Sequence, residues 1–203
     1  MREPSIAIAP DISQYFQEVI SDAIRVRHVD ATDAAASYLV SLLCEYAHPD
    51  EEAGSTFSQP LTFLLHEAMS AVGSERFRRL RCLGDHALYA LGFFAGHIEV
   101  KGIDRGYVST VGSTSYREAA AMLRRRAQTM ERGPNVLSEL AAKFDRFAEV
   151  LRDVADGTLA CGARDERSVV KLYERWMKTG SARIAEELGA RGIVPTRGRG
   201  GLN

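Results

Sequence analysis

The chain has 203 residues, 45% of them hydrophobic and 26% charged, with a formal net charge of −1. That balance excludes an intrinsically disordered chain, which needs low hydrophobicity and a large net charge. Three cysteines are too few for a disulfide-built scaffold.

Cys44, Cys82 and Cys161 lie far apart and form no CxxC pair, so they read as reduced thiols rather than as a zinc ribbon. The longest apolar run, residues 87–95, is interrupted by Gly92 and flanked by Asp85, His86 and His97, well short of the roughly 20 residues a bilayer span needs. Residues 1–10 have neither a basic n-region nor an apolar h-region, and they read as a flexible arm; the expected location is cytoplasmic. Charge is distributed unevenly: three arginines stand against eleven carboxylates over residues 1–73, and eleven basic groups against six acidic ones over 74–132. Such asymmetry favours internal or homo-oligomeric pairing over nucleic acid, and it bears on association more than on fold.

Helical periodicity runs through almost the whole chain, and strand alternation beyond four residues is hard to find. Ile12, Phe16, Val19, Ile20 and Ala23 recur at three- and four-residue steps, predicting a helix from Asp11 to about His28. Asp30 or Thr32 then caps a second helix through Ala36, Leu39, Val40 and Leu43, which stops near His48 because Pro49 disfavours helix in the residue before it. Residues 50–56 read as an acidic loop. Ser58 with Pro60 opens a third helix through Leu61, Leu64, Leu65 and Met69, ended by Gly73.

The fourth helix, over 75–98, is the most informative. Leu80, Leu83, Ala87, Leu91, Phe94 and Ile98 share one face, as a core-facing stripe requires. Gly84, Gly92 and Gly96 stand where alanine would favour the helix by about 1 kcal/mol each, which points to close packing of neighbouring backbones. Residues 101–115, rich in glycine, serine and threonine, read as a loop, with Ser115 and Glu118 as a capping box for a helix to about Gln128. After Gly133-Pro134 a long helix carries Val136, Leu140, Phe144, Phe147, Val150, Leu151 and Val154 to Gly157, and residues 158–163 read as a linker. The last unit, 164–192, is a helical hairpin: Val169, Leu172, Tyr173 and Trp176 before Gly180, then Ser181 capping a helix with Ile184, Ala185 and Leu188. Residues 193–203 form a basic Gly/Arg tail. The expected fold is all-α, a bundle of five or six helices over residues 11–160 with the C-terminal hairpin.

Few residues stand at catalytic spacing. Asp85 precedes His86 directly, and adjacent helical residues point about 100° apart, so they form no dyad. His66-Glu67 lacks the second histidine of a zinc HExxH motif, and Glu45 with His48 is a single Glu-x-x-His pair where a di-iron bundle needs two. The stretch 106–114 exposes backbone N–H groups in the manner of an anion-binding turn but lacks the Gly-Lys-Ser/Thr ending of a phosphate loop. His86 and His97, eleven positions apart, share a helix face at about 16 Å along the axis and cannot bind one metal. With Tyr89 and Phe93, these histidines form the candidate ligand-binding set, an apolar slot in which one histidine would hold a haem or another flat apolar ligand.

The segment 180–193 resembles a helix-turn-helix, and Ile184-Ala185 and Leu188 followed by Arg191-Gly192-Ile193 are similar to the C-terminal part of large serine recombinases. The resemblance implies DNA binding by the hairpin. With Ser181–Ala190 as the reading helix, however, Glu186 and Glu187 would face phosphate. The leading expectation is therefore a non-enzymatic interaction or regulatory module, homo-oligomeric or bound to a protein partner. Its partner surface would include Tyr173, Trp176, Arg183 and Arg191. A bundle that binds an apolar ligand or haem at His86 is the alternative, and DNA binding the second.

Overall fold

The computed structural model describes residues 9–47, 59–126, 135–162 and 165–196. Among them the fold is all-α, with ten helices and no strand: α1 (Ala9–Val26), α2 (Asp33–Ala47), α3 (Leu61–Ser70), α4 (Gly73–Phe93), α5 (Ala95–Val100), α6 (Arg105–Arg126), α7 (Val136–Ala142), α8 (Phe144–Gly162), α9 (Glu166–Thr179) and α10 (Ala182–Ala190). The acidic loop expected at 50–56, Ser58 and Gly133-Pro134 lie outside the described residues. The chain divides into two units, Met1–Leu151 and Arg152–Asn203, with the boundary inside α8.

In the first unit α4 is central. It packs against α2, α3, α5 and α6, while α1 lies on α2 and α7 lies on both α2 and α6. Leu80, Leu83, Ala87 and Leu91 of the expected stripe are buried, together with Leu39 and Leu43 of α2 and Val108 and Val111 of α6. Phe94, placed on the same stripe by sequence, is half exposed instead, because the helix breaks there (φ −119°, ψ 21°) and Ile98 is buried from the separate helix α5.

The main departure from expectation is residues 105–115. Their Gly/Ser/Thr composition predicts a loop, yet they form the first half of α6. Two physical reasons explain the helix. Thr110 and Ser115 donate their hydroxyls to carbonyls one turn back, Gly106 O at 2.8 Å and Val111 O at 2.8 Å, so the polar groups are satisfied inside the helix. The small residues also admit close neighbours: an added Cβ at Gly112 would lie 2.3 Å from Phe144 Cζ and 2.8 Å from Ala87 Cβ. Ser115 is therefore no cap but a buried mid-helix residue, and the N-terminus is closed by Asp104, whose Oδ1 accepts from the Tyr107 N–H at 2.7 Å. The same packing test supports close approach at Gly84, against the Tyr116 ring, and at Gly92, against Leu151 Cβ, but not at Gly96, which faces open space.

Other boundaries shift for similar reasons. α3 ends at Ser70, and Gly73 begins α4 rather than ending α3. The helix expected over 136–157 is interrupted at Lys143 and resumes as α8, which continues past Gly157 through the supposed linker to Gly162. Thr158 Oγ1 donates to Val154 O at 2.9 Å there, and Ala160 belongs to an apolar cluster with Leu172, Trp176, Ile184 and Leu188 that forms the core of the second unit. The hairpin follows the sequence closely. Gly180 takes the left-handed conformation (φ 67°), and Ser181 Oγ accepts from the Ile184 N–H. After α10, Gly192 (φ 79°) donates to Gly189 O and Ile193 to Leu188 O, a Schellman closure.

Candidate functional site

The chemistry-bearing side chains of the first unit converge on α4, along two adjoining lines. On one, Arg81 and Asp85 lie a turn apart. Asp85 is only 5% exposed, and its Oδ1 accepts two phenol hydrogens, from Tyr38 Oη of α2 at 2.6 Å and from Tyr116 Oη of α6 at 2.7 Å. Arg81 Nε stands 3.4 Å from Oδ2. Three helices therefore meet at one carboxylate. The Tyr38 and Tyr116 rings contact edge to face with centroids 6.3 Å apart, a favoured aromatic geometry. Burial pushes the Asp85 carboxyl up to about 6, against the opposing pull of the two phenols and Arg81. Burial, then the Asp85 charge, raises the phenols of Tyr38 and Tyr116 far above their ordinary value, so both remain donors.

On the second line, Cys82, His86, Tyr89 and Phe93 recur at steps of four, three and four, which keeps them within one narrow stripe of α4. Tyr46, in the last turn of α2, stacks on Tyr89 at 4.2 Å, and Tyr89 stacks on Phe93 at 4.8 Å, giving a three-ring ladder. His86 meets Tyr46 edge to face at 5.6 Å, and its Nδ1 is 3.6 Å from Cys82 Sγ. Burial lowers the His86 pKa, so the imidazole is neutral at pH 7. Cys82 is exposed as a residue, yet partial burial of its sulfur, then the Asp85 charge, push the thiol up. The structure thus brings His86, Tyr89 and Phe93 together; His97 is exposed on α5, beyond the helix break, and does not join them. Asp85 and His86 point to different partners, as their adjacency requires.

In the second unit Trp176 is buried in the apolar cluster, with Tyr173 packed against it. Arg191 donates to Ala160 O at 2.8 Å and to Glu187, and Arg183 packs over Gly157. Three of the four residues expected at a partner surface, Tyr173, Trp176 and Arg191, therefore contribute to the unit's own cohesion. Glu186 is exposed on α10, where a groove-reading helix would meet phosphate. Asp156, also buried, accepts from Arg175 Nε at 2.6 Å.

Sequence reasoning missed Tyr38, Tyr46 and Tyr116. The available signal was Asp85 itself: a carboxylate between Leu83 and Ala87 of the apolar stripe of α4 demands donors, and a buried tyrosine needs a hydrogen-bond partner. Among the described residues, no group of three or more His, Cys, Asp or Glu side chains is arranged to hold a metal ion. No helix is long and apolar enough to cross a membrane among the described residues. No protein-family model, curated protein or solved structure matches this chain.

Proposed function

We propose that this chain is a non-enzymatic helical interaction or regulatory module, acting as a homo-oligomer or with a protein partner. One observation carries the reading: large apolar side chains lie at the surface of consecutive elements around α4. Phe63 of α3 and Phe94 at the α4–α5 break are half exposed, Val72 between α3 and α4 is 82% exposed, and Val100 of α5 is 85% exposed. Single exposed apolar residues are ordinary, and Val72 and Phe94 stand at opposite ends of α4; Phe94 and Val100, at the two ends of the short α5, are the pair that suits association. The use of Asp85 agrees with it, since that carboxylate is occupied in joining three helices. Native mass spectrometry beside the denatured mass tests the proposal. A dimer that Phe94→Ser or Val100→Ser shifts toward monomer supports it, and a monomer that recruits no protein rejects it.

A second reading rests on the ring ladder. Tyr46, Tyr89 and Phe93 with the neutral His86 offer stacked apolar surface beside one imidazole, which suits a flat apolar ligand or a haem. An added mass retained in the native spectrum and lost in His86→Ala at unchanged helicity supports this reading. Unchanged ligand content in that variant rejects His86 as the contact.

A further inference from the structure

We propose that Asp85, with Tyr38 and Tyr116, is a proton-operated junction between α2, α4 and α6, which contributes more to the stability of the fold when the carboxyl is protonated than when it is ionised. The geometry is asymmetric about the two oxygens. Oδ1 takes both phenols, at 2.6 and 2.7 Å, whereas Oδ2 has, among the described residues, only Arg81 Nε at 3.4 Å, from a side chain that is itself 46% exposed. A buried carboxylate needs a close, well-made ion pair to offset its desolvation, and a half-solvated guanidinium at that distance is a weak one.

The other groups around it do not make up the difference. From α2, Glu45 adds a like charge and Tyr46 only a neutral phenol; from α6 comes Tyr116, also neutral; on α4 itself Cys82 is a neutral thiol. A proton taken up on Oδ2 forms an O–H bond there, removes the buried charge and leaves Oδ1 as a carbonyl acceptor for both phenols. The inter-helix hydrogen bonds survive neutralisation, and the partner that loses its counter-charge is Arg81, which reaches solvent and has Glu45 in its field. The neutral junction keeps its ties at a lower desolvation cost.

The linkage has a definite sign. The folded-state value of Asp85, about 6, lies above the ordinary 3.8, so the contribution of this group to stability is full below the ordinary value and is lost as pH rises through about 6. This is opposite to the behaviour of a salt-bridged surface carboxylate. Each unit of separation is tenfold in the unfolding equilibrium, so the loss is on the order of 10- to 100-fold between about pH 4 and pH 7.

The test is a carboxyl-carbon NMR titration of the intact chain, with the tyrosine ring signals followed in the same samples, and urea unfolding of the native chain and Asp85→Asn from pH 4.5 to 7.5. The expected result is an Asp85 midpoint near 6, with Tyr38 and Tyr116 moving at the same midpoint. The native chain should also lose stability relative to Asp85→Asn as pH rises. If Asp85→Asn does not fold, Tyr38→Phe replaces it and should raise the midpoint, because one donor to the ionised form is gone. A midpoint in the ordinary carboxylate range, or tyrosine signals that stay still while Asp85 titrates, overturns the proposal.

Discussion

Gly112→Ala probes the seam on which the central part of the first unit depends. The added methyl carbon would lie 2.3 Å from Phe144 Cζ and 2.8 Å from Ala87 Cβ, both well inside contact distance. Neither neighbour can yield easily. Ala87 Cβ is bonded directly to the α4 backbone, and the Phe144 ring is buried against Tyr116, with centroids 5.8 Å apart, so displacing it disturbs the residue that holds Asp85. Overpacking of this kind costs about 1–3 kcal/mol, and the rigid contact argues for the upper end. The better helix propensity of alanine offsets about 1 kcal/mol, leaving a net loss of about 2. At a urea dependence of about 2 kcal/mol per molar, the unfolding midpoint followed by far-ultraviolet circular dichroism should fall by about 1 M. Gly96→Ala is the matched control: nothing lies within 4 Å of its added carbon, so it should be neutral or slightly stabilising. A Gly112→Ala chain as resistant to urea as the native one, or a Gly96→Ala chain weakened equally, would refute the packing argument.

Three other substitutions address different parts of the molecule. Tyr116→Phe removes one of the two phenol donors on Asp85 Oδ1 and should cost about 1–3 kcal/mol at pH 7, with a smaller cost at pH 5, where the protonated acid accepts more weakly; a cost independent of pH would contradict the assignment. Trp176→Ala empties the core shared with Leu172, Ile184 and Leu188 and should destabilise the second unit by about 3–5 kcal/mol, read as lost amide-exchange protection over residues 165–196; retained protection would show that the core does not need the indole. Glu139→Gln weakens the cap of α2, where the carboxylate accepts from the Thr32 N–H at 3.1 Å and from Thr32 Oγ1 at 2.5 Å, and should cost about 1 kcal/mol at neutral pH. Slight burial opposes ionisation of Glu139, but the Thr32 and Lys143 hydrogen bonds prevail and hold it below its ordinary value. Its contribution is therefore lost as pH falls through that range, and chemical denaturation curves of the native chain and the variant should converge in acid.

Much of the local structure was legible because it depends on local chemistry. Thr32 caps α2 with its own hydroxyl, as Ser181 caps α10, and Gly180 ends α9 because that turn needs a positive φ. These signals act within a few residues, so spacing along the chain exposes them. The stripe of His86, Tyr89 and Phe93 was readable for the same reason, since helical periodicity alone puts these residues on one face.

What escaped the sequence depends on residues far apart in the chain. The Gly/Ser/Thr run at 105–115 has the composition of a loop, and it is helical because Ala87 and Phe144 pack into the space its small residues leave. His97 stays on the helical projection of His86 only if one helix runs through Phe94, and the break there removes it from the site. The partners of Asp85 come from positions 47 residues before it and 31 after. The sequence by itself determined the all-α class, the caps of α2 and α10 and the apolar face of the central helix, because periodicity and capping are properties of neighbouring residues. Only the tertiary structure decided where helices break, why residues 105–115 are ordered as helix, and which phenols satisfy the buried carboxylate. Those outcomes depend on volume and hydrogen-bond demands that are met across the fold rather than along the chain.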